Sequence, residues 1–361
     1  MDHDNKSLSR RNFMKGAASN AIVLSSIPIG AYSATTSGED SVSAQPIMPL
    51  KMMLKGGIPD EVRAELMKIS PGIQFYEDDE AIGEVNTWFG RINNAQFAKA
   101  SKLQWIQISS AGVEHYLFPK LITSPVLMTN AKGCYAPAIA EHTFGLLFAL
   151  TRKIASQARN MMNNEWHGED NMFEMKGKTL GILGLGGIGS QVARRARAMD
   201  MQVLAVDIVP KYTEQVGDIC EEVKLVQDSG LAWMLPQSDV VVSAAPHTAA
   251  SEGIFGKAQF DMMKKGTFFI NVSRGKLVDT DALVASLRSG HLAGAGLDVT
   301  NPEPLPSDHA LWSIPNAIVT SHISGKSQHS WQRVLDVFVQ NVHRFTQGLP
   351  MLNQVDKELG F

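Results

Sequence analysis

Apolar residues in this chain fall into short runs separated by longer stretches with a helical, three-to-four-residue hydrophobic period. Runs at 47–54, 73–76, 85–89, 103–108 and 126–129 read as strands, and a second series follows at 179–183, 203–206, 240–244, 267–271, 293–297 and 317–320. Short apolar blocks bounded by turn residues suit strands buried on both faces. Between them the period changes. Asp60 precedes a helix with Val62, Leu66 and Ile69 on one face, and a longer helical run is expected over 137–154. Another helix is capped by Asp279, runs through Leu283 and Leu287, and stops at Gly290. The last long helix, about 326–346, puts Trp331, Val334, Leu335, Phe338, Val342 and Phe345 on one stripe, which reads as core. Strands alternating with helices predict an α/β fold with doubly wound parallel sheets.

The N-terminus departs from this pattern. Ser9-Arg10-Arg11-Asn12-Phe13-Met14-Lys15 has the form of a twin-arginine export signal, and no charged residue follows until Glu39. Ala31-Tyr32-Ser33 offers a small-residue cleavage site. Residues 1–34 therefore read as a targeting segment, and 35–46 as a linker. Export to the bacterial periplasm is expected, with cytoplasmic residence as the alternative. A membrane anchor or a disordered basic arm are competing readings, but Pro28 and the polar residues around it weaken a spanning helix, which needs about 20 predominantly apolar residues. The membrane is thus met only through the export signal. Removing residues 1–34 takes away four basic and two acidic side chains, so the formal net charge moves from −3 to −5. No basic block remains to bind nucleic acid. The only cysteines, Cys134 and Cys220, fit no metal-ligand spacing, and no metal site is expected.

The segment Gly184-Leu185-Gly186-Gly187-Ile188-Gly189 changes the picture most. It follows the run at 179–183 and opens a helical pattern, and Asp207 ends the next run 23 residues after Gly184. Glycines at that spacing permit a tight turn, close backbone approach to a pyrophosphate, and close packing of helix on strand. The phosphates would sit on free N–H groups at the helix N-terminus. Gly184, Gly186, Gly187, Ile188 and Gly189 are accordingly expected to hold a dinucleotide, with Asp207 accepting from the adenosine ribose. A 2′-phosphate about 5 Å from that carboxylate would cost roughly 3 kcal/mol per charge pair at an effective dielectric near 20. Ile208 supplies no compensating charge, so NADH is expected in preference to NADPH.

Three polar residues follow later strand candidates, where ligands bind in open α/β sheets: Arg274, Glu303 and His322. They lie in Asn271-Val272-Ser273-Arg274-Gly275, in Gly296-Leu297-Asp298-Val299-Thr300-Asn301-Pro302-Glu303 and in Thr320-Ser321-His322-Ile323-Ser324-Gly325. Together with Ser110-Ala111-Gly112-Val113, Asn130 through Gly133 and Ala140-Glu141-His142, these ordered motifs resemble the D-2-hydroxyacid dehydrogenase family over nearly all of residues 100–325. The resemblance implies two Rossmann-like domains with the active site in the cleft between them. The substrate domain would be discontinuous, 47–145 with 323–361, around an NAD-binding domain at 146–322.

The same resemblance assigns roles. Arg274 looks like the clamp on the substrate carboxylate and carbonyl, His322 like the general acid/base, and Glu303 like its partner. Backbone N–H groups of Ser110, Ala111, Gly112 and Val113 look like a second carboxylate clamp. Pro246, Thr248, Val272 and Ser273 fall where the family lines the cofactor, and Asp298 where it accepts from the nicotinamide carboxamide. The implied reaction is hydride transfer between NAD(H) and a small 2-oxo or 2-hydroxy acid of the glyoxylate or hydroxypyruvate type. An NAD-sensing binding protein without turnover is the alternative. The chemistry agrees: hydride addition builds negative charge on the carbonyl oxygen, which a fixed guanidinium and an imidazolium stabilise most in the transition state. A homodimer is implied, with 137–154 a candidate contact. Ser321 stands where the family usually has Pro, and Gly187 lacks an Arg often present there. Trp88, Phe89, Tyr116 and Leu117 are candidates for the substrate pocket, with core packing as the competing role.

Overall fold

The computed structural model of the chain describes residues 49–209, 217 and 219–361. Residues 1–34, read as a twin-arginine signal, and the linker 35–46 lie outside the described residues. The expected α/β class is what the chain adopts, in two all-parallel sheets.

The first sheet holds β1 (Lys51–Lys55), β2 (Gln74–Tyr76), β3 (Thr87–Gly90), β4 (Trp105–Gln107) and β5 (Leu127–Thr129) in the order β2-β1-β3-β4-β5. Its intervening helices are α1 (Asp60–Ile69), α2 (Asn94–Lys99) and α3 (Pro119–Ile122). Two helices, α4 (Ala136–Thr151) and α5 (Ile154–Met162), lead to the second sheet. That sheet contains β6 (Thr179–Leu183), β7 (Gln202–Asp207), β8 (Glu222–Leu225), β9 (Val240–Ser243), β10 (Thr267–Asn271), β11 (Leu292–Leu297) and β12 (Ala317–Val319), ordered β12-β11-β10-β9-β6-β7-β8. It carries α6 (Gly187–Ala198), α7 (Gly230–Met234), α8 (Lys257–Met262) and α9 (Thr280–Arg288), and α10 (Ser330–Thr346) follows. Strand order reverses between β6 and β9, and ligands bind at such switch points.

The helix α10 packs on α1 against the first sheet, burying Val334, Leu335, Phe338, Val342 and Phe345. Phe338 lies 4.2 Å from Phe89 and Phe345 5.3 Å from Trp105, ring centroid to centroid. Trp331 is not part of that buried stripe: it is 38% exposed at the first turn, in a T-shaped contact with Phe89. The chain end then returns to the first sheet, where Val355 N–H donates to the Met128 carbonyl and Lys357 Nζ to the Leu121, Ser124 and Val126 carbonyls. Burial lowers the pKa of that ammonium.

The helical run expected over 137–154 is interrupted. Thr151 is the last buried residue of α4, Lys153 turns left-handed at φ 56°, and α5 begins at Ile154 with no buried residue. Packing explains the break, because α4 is apolar enough to lie against the second sheet through Ala140, Phe144 and Leu147, and the chain beyond it is not. β8 is the strand that hydrophobicity did not announce. It sits at the sheet edge with only Val223 buried, so its sequence stays mostly polar.

Candidate functional site

The functional candidates of the second sheet all follow the carboxyl ends of its strands. Gly184 comes after β6, Asp207 ends β7, Pro246 and Thr248 follow β9, Val272 to Arg274 follow β10, Asp298 follows β11, and His322 follows β12. Ser110 to Val113 follow β4 at the same edge of the first sheet.

At the glycine turn, Gly184 has φ 92°, and a Cβ there would lie 2.7 Å from the Ala245 nitrogen. A Cβ on Gly189 would strike the Gly184 carbonyl oxygen, so this glycine lets α6 pack onto the turn. Gly186 is different: open space lies where its Cβ would be, and no side chain caps the first turn of α6. A pyrophosphate fits that uncapped helix start. Gly187 approaches Gly133, just before α4, so closely that a Cβ there would lie 3.3 Å from the Gly133 Cα. Asp207, 7% exposed, accepts from Leu185 N–H at 2.6 Å, Ile208 N–H at 2.8 Å and Val209 N–H at 2.9 Å. Its carboxylate thus ties the end of β7 to the glycine turn. Val272 and Ser273 are buried, and Ser273 Oγ bonds Asn271 Oδ1 and Ser243 Oγ, both at 2.9 Å.

Across the cleft, the predicted carboxylate clamps do meet. The Arg274 guanidinium stands against the Gly112 backbone so closely that a Cβ on Gly112 would overlap Nη2. Arg274 Nη1 donates to its neighbour's carbonyl, Ser273 O, at 2.7 Å, and Nε donates to Glu114 Oε1 at 2.6 Å. Sequence reasoning missed Glu114; its signal was a carboxylate two residues after the clamp glycine. Burial pushes the Glu114 pKa up, but the Arg274 charge and hydrogen bond outweigh this and hold it below the usual carboxylate range.

His322 Nδ1 lies 2.6 Å from Glu303 Oε1, with both side chains about two-fifths exposed to the cleft (46% and 41%). His322 has φ 52°, a left-handed conformation uncommon outside glycine. Asp298 holds it there. Its backbone carbonyl accepts from His322 N–H at 2.9 Å, while its carboxylate accepts from Thr320 Oγ1 at 2.6 Å, Ser324 N–H at 2.9 Å and Ile323 N–H at 3.0 Å. Burial would raise the Asp298 pKa, yet the bonds from Ser324 and Thr320 outweigh it, and the group stays below its ordinary value. His142 of α4 joins this network, with Nε2 2.9 Å from Thr320 Oγ1. Tyr135 completes the frame: its hydroxyl donates to Ser109 O at 2.6 Å, and its ring packs against Gly325. Trp88, Phe89 and Tyr116 are buried core residues, and the half-buried Leu117 packs beside them, which accords with the core-packing role. Cys134 and Cys220 are both buried free thiols, raised to about 12 and about 11 by desolvation. No cluster of metal-ligating side chains occurs among the described residues.

A doubly wound sheet with a glycine turn at its switch point places the chain among the Rossmann-type dinucleotide-binding proteins. More narrowly, it belongs to the D-isomer specific 2-hydroxyacid dehydrogenase family, whose NAD-binding domain matches residues 144–324. It is 33% identical over 267 residues to D-3-phosphoglycerate dehydrogenase of Archaeoglobus fulgidus, covering 73% of this chain and 49% of that one. The chain therefore spans about half the length of that relative. It is 32% identical over 265 residues to glyoxylate reductase of Thermofilum pendens, covering 72% of this chain and 77% of that one. Among solved structures, it is similar to a D-isomer specific 2-hydroxyacid dehydrogenase from Xanthobacter autotrophicus Py2 in complex with NADPH and MES. That likeness has a TM-score of 0.70 at 26% identity, over 86% of this chain and 99% of the other.

The contact at Gly112 yields a prediction. Gly112→Ala should fold with little change in Tm, because the clash is with the end of a flexible side chain. Displacing the guanidinium by about 1 Å should lower kcat/KM for 2-oxo acids on the order of 10²-fold. Steady-state kinetics beside a thermal melt checks this, and unchanged kcat/KM would separate Arg274 from the reaction.

Proposed function

We propose that the protein is an NAD(H)-dependent reductase of small 2-oxo acids, of the glyoxylate or hydroxypyruvate type, also able to run in the oxidative direction. The observation that carries this reading is the pairing of His322 with Glu303 at 2.6 Å, beside a strand edge whose Arg274 reaches the Gly112 loop. NAD(P)H, when bound on the Gly184–Gly189 turn, supplies the hydride. Arg274 and the N–H groups around Ser110 to Val113 hold the substrate carboxylate and fix the face presented. Glu303 on Nδ1 leaves His322 Nε2 as the proton donor to the developing alkoxide, and the same nitrogen accepts the proton in oxidation. Pro246, Thr248, Val272, Ser273 and Asp298 complete the cofactor side of the cleft, Asp298 chiefly by holding the backbone of the histidine loop in place.

For the cofactor, Asp207 at the end of β7 and the exposed, uncharged Ile208 support NADH over NADPH. The NADPH in the Xanthobacter structure makes this the point to measure. NADH oxidation with glyoxylate, hydroxypyruvate, pyruvate and bulkier 2-oxo acids should rank the small acids first, and His322→Ala should lose about 10²- to 10⁴-fold in kcat. The same assay with NADPH should give the lower kcat/KM. NADH binding without reduction of any acid would leave a nucleotide-binding protein in place of an enzyme.

Export and assembly complete the proposal. Arg10-Arg11 and the uncharged stretch behind them support twin-arginine export to the periplasm. A folded reporter carrying residues 1–46 should be exported, and Arg10→Lys with Arg11→Lys should keep it in the cytoplasm; equal export of both forms would refute the signal. A homodimer is supported by Phe148, Ile154, Met161, Met162 and Trp166, large apolar side chains left exposed along the end of α4, α5 and the segment after it. Light scattering should give twice the chain mass, and Met162→Ser with Trp166→Ser should shift it toward the monomer.

A further inference from the structure

We propose that Glu114 is a positioning residue for Arg274, locking one edge of the guanidinium so that the other edge is free to take the substrate carboxylate. The inference rests on the reading of Arg274 as the carboxylate clamp.

An arginine carries five N–H donors in a planar fork. Here the Nε donor is committed to Glu114 Oε1 and one Nη1 donor to Ser273 O, which fixes both the plane and the rotation of the group. Nη2, against Gly112, has no hydrogen-bond partner among these contacts. The two partners come from different sheets: Glu114 follows β4, and Arg274 follows β10. The pair therefore sets the spacing between the two loops expected to grip one substrate. Both side chains keep about 30% of their surface exposed, so without Glu114 the guanidinium would sample several rotamers and be reordered at each binding event. Glu114 stays ionised through the neutral range, since Arg274 holds its carboxyl below the usual value. Its Oε1 holds the Nε side of the guanidinium, while its Oε2 lies beside Gly112 near Nη2.

The test uses the full chain saturated with NADH and the best 2-oxo acid from the substrate series. Glu114→Ala should raise KM for the acid by at least about tenfold while kcat falls less than about threefold, the signature of lost preorganisation. Glu114→Gln keeps an oxygen that accepts from Nε, and its KM should rise only about threefold. NADH affinity by fluorescence quenching should be the same in all forms, which reports intact folding. A KM that is unchanged or lower in Glu114→Ala overturns the proposal and leaves Glu114 as a neighbouring charge that only opposes the substrate. Should Glu114→Ala fail to fold, Glu114→Gln decides alone, with unchanged KM counting against it. Arg274→Ala separates the underlying reading: retained turnover there sinks the clamp itself, whatever Glu114 does.

Discussion

A carboxylate removed from water needs donors in place of the solvent it has lost, and Asp298 shows what that need can shape. It is 1% exposed at the end of β11, and its two oxygens gather the Thr320 hydroxyl and the N–H groups of Ile323 and Ser324. To supply those donors the chain after β12 must curl around the carboxylate. The curl carries His322 into a left-handed conformation and presents its ring to Glu303. The neighbouring loops are fitted to the same strand end, since Gly275, just after Arg274, lies directly against the Thr300 carbonyl. The order of the histidine loop thus traces back to one buried negative charge satisfied by a hydroxyl and two backbone N–H groups. The family's usual proline before the histidine is absent here, and Ser321 stands in its place. Hydrogen bonds that the loop donates to Asp298 fix it without the proline.

The same economy holds at the nucleotide end. Asp207 was expected to face a ribose, and in the structure it already serves three backbone donors, one of them in the glycine turn. A carboxylate has lone pairs beyond these three, so the structural duty does not displace the binding one. It does mean that replacing Asp207 alters the turn as well as the charge.

Most of the scaffold was legible because buried parallel strands write themselves as apolar runs. The span 179–183 coincides with β6, and the Asp279 cap and Gly290 stop bracket α9, where the Asp279 side chain accepts from Ala282 N–H. What escaped was decided by tertiary contact. β8 is an edge strand with little to bury, α4 stops where its buried face stops, and Trp331 lies on a helix whose buried apolar stripe begins only one turn later. In the site, residues bound by backbone geometry could be read from glycine spacing. Glu114 and Tyr135 could not, because each acts on a partner far away in sequence, Arg274 in one case and Gly325 in the other.

The return of the chain end to its first sheet has a consequence for how the molecule is made. Phe338 and Phe345 fill the core beside Phe89 and Trp105, and Lys357 closes the carbonyls around residues 121–126, more than 230 positions earlier. On the ribosome, the second sheet has all its strands once residue 319 has emerged, while the first still lacks the helix that covers it. The part synthesised first is therefore the part completed last, and until then it presents an open apolar face to whatever meets the nascent chain.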